Sequence, residues 1–431
     1  MKSRALILVT MTLFAALAIT ASMDAQEQKI EKPQQYTFTD LGTLGGPTST
    51  ANGINNKGWV TGVSDLPGGT TVHGFLWQEG STMKDLGTLG GPNSGVFWPV
   101  KDNRGLIAGY SETSSTDPLN ENFCGFGPAH TCLGFLWQKG AMTPLPTLGG
   151  NNGFATGVNN RGQVVGTAEN GTHDPSCIAP QVLDWEAVVW GPEEGEIHEL
   201  PPFPGDSIAA AVAINDKGQV VGGSGPICGP VSTAGSLHAV LWQDGSVTDL
   251  GSFGGTMNNV GTAINNLGQA VGFSDLAGDT AEHAFLWQDG LMTDLGTLPG
   301  DFSSTAYGIN NKGQVVGISC DQSGNCRAFL WQDGVMTDLN TLIPAGSPLL
   351  IYGGDINSRG EIVGQAFDQT TGKMAAFLLT PSSDEAASGS ATTAAQAKNQ
   401  SPRVTLPESV RNLLQQRRGF GRFRPGPTRL Q

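Results

Sequence analysis

The sequence predicts an all-β protein, a closed seven-bladed β-propeller of four-stranded antiparallel blades. Three observations carry that expectation. One phrase, Ile309-Asn310-Asn311-Lys312-Gly313-Gln314-Val315-Val316-Gly317 in its fullest form, occurs seven times, starting at Ile54, Lys101, Val158, Ile214, Ile264, Ile309 and Ile356. Two further phrases cycle with it at about 50 residues, a unit too small to bury its own apolar face. The composition agrees: 62 glycines and 14% charged residues, with Val, Ile, Leu, Phe and Trp in short runs between turn residues, point to strands.

Each cycle reads as two hairpins. The phrase at Ile309 joins an apolar strand end to a β-branched strand through an Asn that can cap a turn and a Gly that can take positive φ. An aromatic strand follows, starting at Gly74, Gly134, Ala187, Ala239, Ala284, Ala328 and Ala376, most often as Ala-Phe-Leu-Trp-Gln-Asp-Gly. The last phrase is Asp-Leu-Gly-Thr-Leu-Gly-Gly, at Asp40 and Asp85, degraded from Leu145 and Leu200, and returning from Asp249, Asp294 and Asp338. Repeated radially, four such strands make a propeller blade. The chain enters with an unpaired fourth strand, Tyr36 to Leu41, and the last cycle ends on a third, Ala376 to Thr380. Pairing these two closes the ring and removes the sheet edges that an open stack leaves bare.

Met1-Lys2-Ser3-Arg4 before the apolar run Ala5 to Ala21 reads as a secretory signal. The expected organisation is a signal over residues 1–25, a propeller over 36–380 and a tail over 381–431, with no membrane span after signal removal. The tail is rich in Ser, Ala and Gln and then in Arg, from Arg417 to Arg424. It is expected to be disordered apart from a short helix between Pro407 and Arg418. The chain carries a net charge of −15 while its end is basic, so the tail is either a solvated appendage or a clasp to anionic envelope material or to the acidic body. Nucleic acid is not an expected partner of so acidic a body.

All six cysteines fall in loops between strands. An even number in an exported chain favours disulfides, and the simplest pairings are Cys124 with Cys132, Cys177 with Cys228 and Cys320 with Cys326. No pair has CxxC spacing and no His accompanies one at zinc-ligand spacing, so no metal site is expected, and no cofactor.

His283-Ala284-Phe285 before Leu286-Trp287, with partial versions at His73-Gly74-Phe75 and His238-Ala239-Val240, resembles the extracellular HAF repeat family over roughly residues 36–380. The resemblance implies a bacterial protein outside the cell and implies no activity. Leu133, Glu186, Arg327 and Ala375 stand at the first position elsewhere, so the repeat histidine does not read as catalytic.

In a propeller the loops between second and third strands share one face with the crossovers, and the hairpin turns lie on the other. Here the turns are uniform while the loops swell in blades two (Tyr110 to Cys132), three (Thr167 to Trp185) and four (Gly223 to Leu237). Variable loops on a regular scaffold are where binding concentrates. Six of the nine tryptophans repeat in register as packing residues, whereas Trp98 replaces the Ala or Gly of the other inner strands. Trp98 either plugs the channel or offers a stacking surface to a sugar or peptide. His130, His173, Asp174, Trp185 and Glu186 complete the candidate ligand-binding set, and Asp174 with Glu186 has the residue types of a glycosidase pair. No GxSxG or HExxH phrase occurs, so no catalytic residue is assigned. The expected role is a secreted or cell-surface binding module for extracellular glycan or protein. A polysaccharide hydrolase or lyase using carboxylates of blades two to four, or a structural envelope protein, are the alternatives, because the fold alone decides none of these.

Overall fold

A computed structural model describes residues 34–99, 101–175, 177–226, 228, 237–382 and 404–417. The expected signal over 1–25 lies outside the described residues, as do the tail segments expected to be disordered. Seven antiparallel sheets of four strands form the blades, spanning residues 49–85, 90–144, 149–200, 208–249, 254–294, 303–338 and 349–381. Tyr36–Gly42 supplies the fourth strand of blade 7, pairing antiparallel with Met374–Pro381. The ring is closed as the sequence predicts.

Local chemistry explains why the phrases repeat. In the Val-Val-Gly strand of blade 6, a Cβ on Gly317 would overlap the Thr305 carbonyl oxygen and meet the Phe329 ring. A bulge in the first strand, between Ala306 and Gly308, disrupts the ladder beside that contact. In the outer hairpin, Asp333 (φ 52) and Gly334 (φ 83) take the left-handed pair that a two-residue turn requires. The repeat tryptophans pack between blades, and Trp190 and Trp242 donate from Nε1 to the Pro146 and Pro201 carbonyls of the preceding crossovers.

The two asparagines of the hairpin phrase link blade to blade. Within its own turn, Asn310 accepts from the Lys312 and Gln314 amides. Its Nδ2 donates to the Asn357 carbonyl of the next blade at 2.9 Å. Equivalent bonds run from Asn357 to Asn55, Asn55 to Asp102, Asn159 to Asn215, Asn215 to Asn265 and Asn265 to Asn310. Asp102 has no such donor to offer blade 3. A second belt uses the following residue, the Asn266 amide donating to Asn311 Oδ1 at 2.9 Å, with Asn103 to Asn160 spanning the joint that Asp102 leaves open. Beside the belts, Lys101 pairs with the fully buried Asp355, whose other oxygen accepts from the Ile54 amide. One ion pair thereby connects blades 2, 7 and 1. The belts narrow the channel on the turn face to a pocket of about 50 Å³ lined by Asn56, Asn160, Asp216, Asn266 and Asn311.

Blade 2 departs from the pattern. Its first strand, Gly90–Gly95, ends before Trp98, where Pro99 removes a ladder donor. Trp98 therefore sits just beyond the inner strand and not on it. In the tail, α1 (Glu408–Arg417) is the one α-helix among the described residues, matching the expected short helix. Leu406, Val410, Leu413 and Leu414 pack against Tyr307, Ile351, Tyr352, Phe367, Met374 and the Cys320–Cys326 disulfide. The Leu406 amide donates to Asn325 Oδ1 at 2.8 Å and Arg411 to the Ser323 carbonyl at 3.2 Å. This part of the tail is docked on blades 6 and 7.

Candidate functional site

The enlarged loops of blades 2 and 3 are held by covalent and polar contacts. All three expected disulfides form: Cys124–Cys132, Cys177–Cys228 and Cys320–Cys326. Cys177–Cys228 joins the loops of blades 3 and 4, and the Ile178 amide donates to the Cys228 carbonyl at 2.8 Å. Asp174 Oδ lies near both of these sulfurs, but each is committed to the disulfide and neither is a thiolate ligand.

Beneath the loops lies an aromatic plug. Phe97 stacks on Tyr110 with ring centroids 5.0 Å apart, Phe154 contacts Tyr110 at 5.7 Å, and Phe123 meets Phe154 at 5.4 Å and the edge of Trp185 at 6.5 Å. Trp98 is 1% exposed and Trp185 6%, packed with Ile208, Val212, Val260 and Phe273 from blades 4 and 5. The structure brings these two tryptophans together as channel filling, with no ring face open to a ligand.

The polar candidates are dispersed. His173 is exposed at the end of the second strand of blade 3. His130 is half-buried, its Nδ1 lacks a hydrogen-bond partner, and it is one of the groups acting on the Glu112 carboxyl. Glu186 is 7% exposed. Burial first, then the charges of Asp184 and Glu199, push its carboxyl up to about 8. Asp174 is not among the groups that perturb it, so Asp184 and Glu199 replace Asp174 as its acidic neighbours. The repeat explains this: His73 with Asp85, and His283 with Asp294, form cross-strand ion pairs at 2.9 Å in blades 1 and 5. In blade 3, Glu186 and Glu199 occupy those two places.

Sequence reasoning missed a buried carboxylate network between the loops of blades 2 and 3. Glu121 Oε1 accepts from Gln181 Nε2 (3.1 Å) and the Val182 (2.7 Å) and Leu183 (2.8 Å) amides. Glu169 accepts from the Asn152 amide (2.9 Å), from Asn152 Nδ2 (3.1 Å) and from Gln181 Nε2 (2.8 Å). Asn152 Nδ2 also donates to Asp117 Oδ2 at 2.9 Å. A signal was present: Asp65, Glu112, Glu169 and Asp275 stand at one strand-end position, and each accepts from Thr48, Asn93, Asn152 or Asn258 at the start of its own blade.

Fold and site together define a disulfide-stapled seven-bladed β-propeller whose loop face is built up over blades 2 and 3 and covered by α1 over blades 6 and 7. No protein-family model matches the chain, and no curated protein sequence does. Among solved structures it is similar to an acylaminoacyl peptidase of Pyrococcus horikoshii, with 13% identity and a TM-score of 0.46 over 77% of this chain and 51% of that one. A puromycin-hydrolyzing peptidase of Mycobacterium tuberculosis matches with 10% identity and a TM-score of 0.47, over 80% and 56%. A gluconolactonase of Xanthomonas campestris matches with 10% identity and a TM-score of 0.36, over 81% and 95%. The chain spans about half the length of the two peptidases.

Proposed function

We propose that this chain is an exported interaction module of the HAF repeat type, binding an extracellular protein or glycan through the loop face of its blades 2 to 5. One observation carries the reading: apolar side chains stand exposed on loop-face segments that are otherwise fixed in place. Leu119, Ile178 and Met257 are 39, 37 and 44% exposed, and the loops of the first two are tied down by disulfides and buried hydrogen bonds. Anchors held rigid before binding lose little conformational freedom on association. Three disulfides support an oxidising location, and no helix among the described residues is long and apolar enough to cross a membrane. The test is binding of the purified protein to polysaccharides and to envelope and secreted protein fractions, with Leu119→Asp, Ile178→Asp and Met257→Asp alongside. Ligand lost in these folded variants supports the reading, whereas binding untouched by all three moves the site elsewhere.

A second reading, a polysaccharide hydrolase, is favoured by Glu186, whose carboxyl stays protonated near neutrality as a general acid must. Turnover abolished by Glu186→Gln with ligand still bound would select it.

A further inference from the structure

We propose that the loops of blades 2 and 3 are latched by a single proton shared between Glu121 and Glu169, so that the loop face is fixed in acid and loosens as pH rises through neutrality. Both residues are fully buried, and Gln181 Nε2, which donates to Glu121 Oε1 at 3.1 Å and to Glu169 Oε1 at 2.8 Å, holds their carboxyl groups side by side in contact. Two carboxylates cannot make that contact unless one carries a proton. The donors around them fill three of the four oxygens: Glu121 Oε1 and both oxygens of Glu169 accept from Gln181, Val182, Leu183, Asn151 and Asn152. Glu121 Oε2 alone has no protein donor, which leaves it as the oxygen through which the two carboxyl groups share the proton.

The charged group facing the pair is Asp117, from the blade-2 loop, and it is a third acid. The second nearby acid, Glu112, is turned to Asn93 and His130. Among the described residues every ion pair involves other carboxylates, so no cation compensates a second negative charge here. Burial and then the neighbouring Glu121 charge hold the Glu169 carboxyl at about 7. Burial likewise raises Glu121.

The pair joins two parts that share no strand ladder. Glu121 belongs to the blade-2 loop, while the Val182 and Leu183 amides it receives belong to blade 3, and Gln181 Nε2 lies between both acids. Losing the proton places two like charges in contact in a low-dielectric site, and the relief is separation of the loops. A folded-state carboxyl held above its ordinary 4.5 stabilises the structure fully below that value and ceases to do so as pH rises through about 7. The consequence for ligand affinity rests on the function proposed above, since Leu119 and Ile178 flank the latch. The latch itself does not rest on it.

The experiment is amide hydrogen exchange in the full-length protein without ligand, followed from about pH 5.5 to 9 and corrected for intrinsic base catalysis. Protection at Val182 and Leu183 is expected to fall at least tenfold through neutrality in the wild type, and to stay level in Glu121→Gln, whose amide donates permanently to Glu169. Level protection in the wild type, or the same decline in the variant, overturns the proposal. Should the variant fail to fold, infrared spectra of Glu186→Gln, which removes the other buried carboxyl titrating in this range, decide: a buried protonated-carboxyl band present at pH 6 and lost by pH 9 supports the shared proton, and its absence at pH 6 refutes it. Ligand binding is measured separately, so an intact latch with no ligand on this face points to the function and not to the proton.

Discussion

At Gly317 and its six counterparts, from Gly62 to Gly364, a neighbouring carbonyl oxygen occupies the space that a Cβ needs. Gly317→Ala is expected to destabilise the protein by roughly 3 kcal/mol, the upper range for overpacking, read from urea unfolding. Lys101 and Asp355 make a different prediction, because both depart from the repeat and each supports the other. Lys101→Met leaves a fully buried carboxylate without its cation, a loss of about 3–5 kcal/mol, and adding Asp355→Asn is expected to recover part of it in the same measurement. At Glu186 the sign follows from a carboxyl raised from 4.5 to about 8 by burial and then by Asp184 and Glu199. Its contribution to stability is complete below about 4.5 and is lost as pH rises through about 8. The unfolding midpoint of the wild type should therefore fall between pH 5 and 9, and Glu186→Gln should fall less; equal slopes would show that Glu186 titrates normally.

The elements differ in how much of them could be read in advance. Blades were legible because the period-two strands and the Asn-Asn-Lys-Gly type of inner turn repeat sevenfold, so each copy checks the others. The helix α1 was legible as a helix from Pro407 at its start and Gly419 just past its end, but its docking was not. Its groove is assembled from Tyr307, Ile351, Phe367 and Met374, residues that converge only when blades 6 and 7 are in place. A helix of 10 residues is marginal alone, so Leu413→Asp with Leu414→Asp should release it, seen as proteolysis near residue 410 with the propeller core resistant. Trp98 was legible as an exception, yet its burial depends on Ile208, Val260 and Phe273 from two other blades. The Glu121–Glu169 contact was hidden for a similar reason: Glu121 lies in a loop without a repeat counterpart. Among the disulfides, Cys177–Cys228 spans 51 residues and Cys320–Cys326 only 6. By loop-closure entropy, removing the first should destabilise by about 4 kcal/mol and the second by about 2 kcal/mol, a difference measurable with paired Cys→Ser variants.

Over the whole molecule, the belts of asparagine make each blade's turn dependent on the next, so the ring behaves as one cooperative unit and not as seven. Six blades are each continuous in sequence; blade 7 alone takes strands from both ends, with Thr37 opposite Thr380 and Asp40 opposite Phe377. Deleting residues 34–42 is expected to leave the edge of Met374–Pro381 unpaired and to produce concentration-dependent association, visible by light scattering. The same arrangement has a mechanical meaning. A pull applied between residues 34 and 382 acts on two neighbouring strands of one sheet, whose hydrogen bonds give way one at a time like a zipper. Pulled elsewhere, as between residues 85 and 249, the chain is loaded across several blades at once and the bonds must yield together. A pull on residues 34 and 382 would thus open the ring at a chosen seam, between Tyr36–Gly42 and Met374–Pro381.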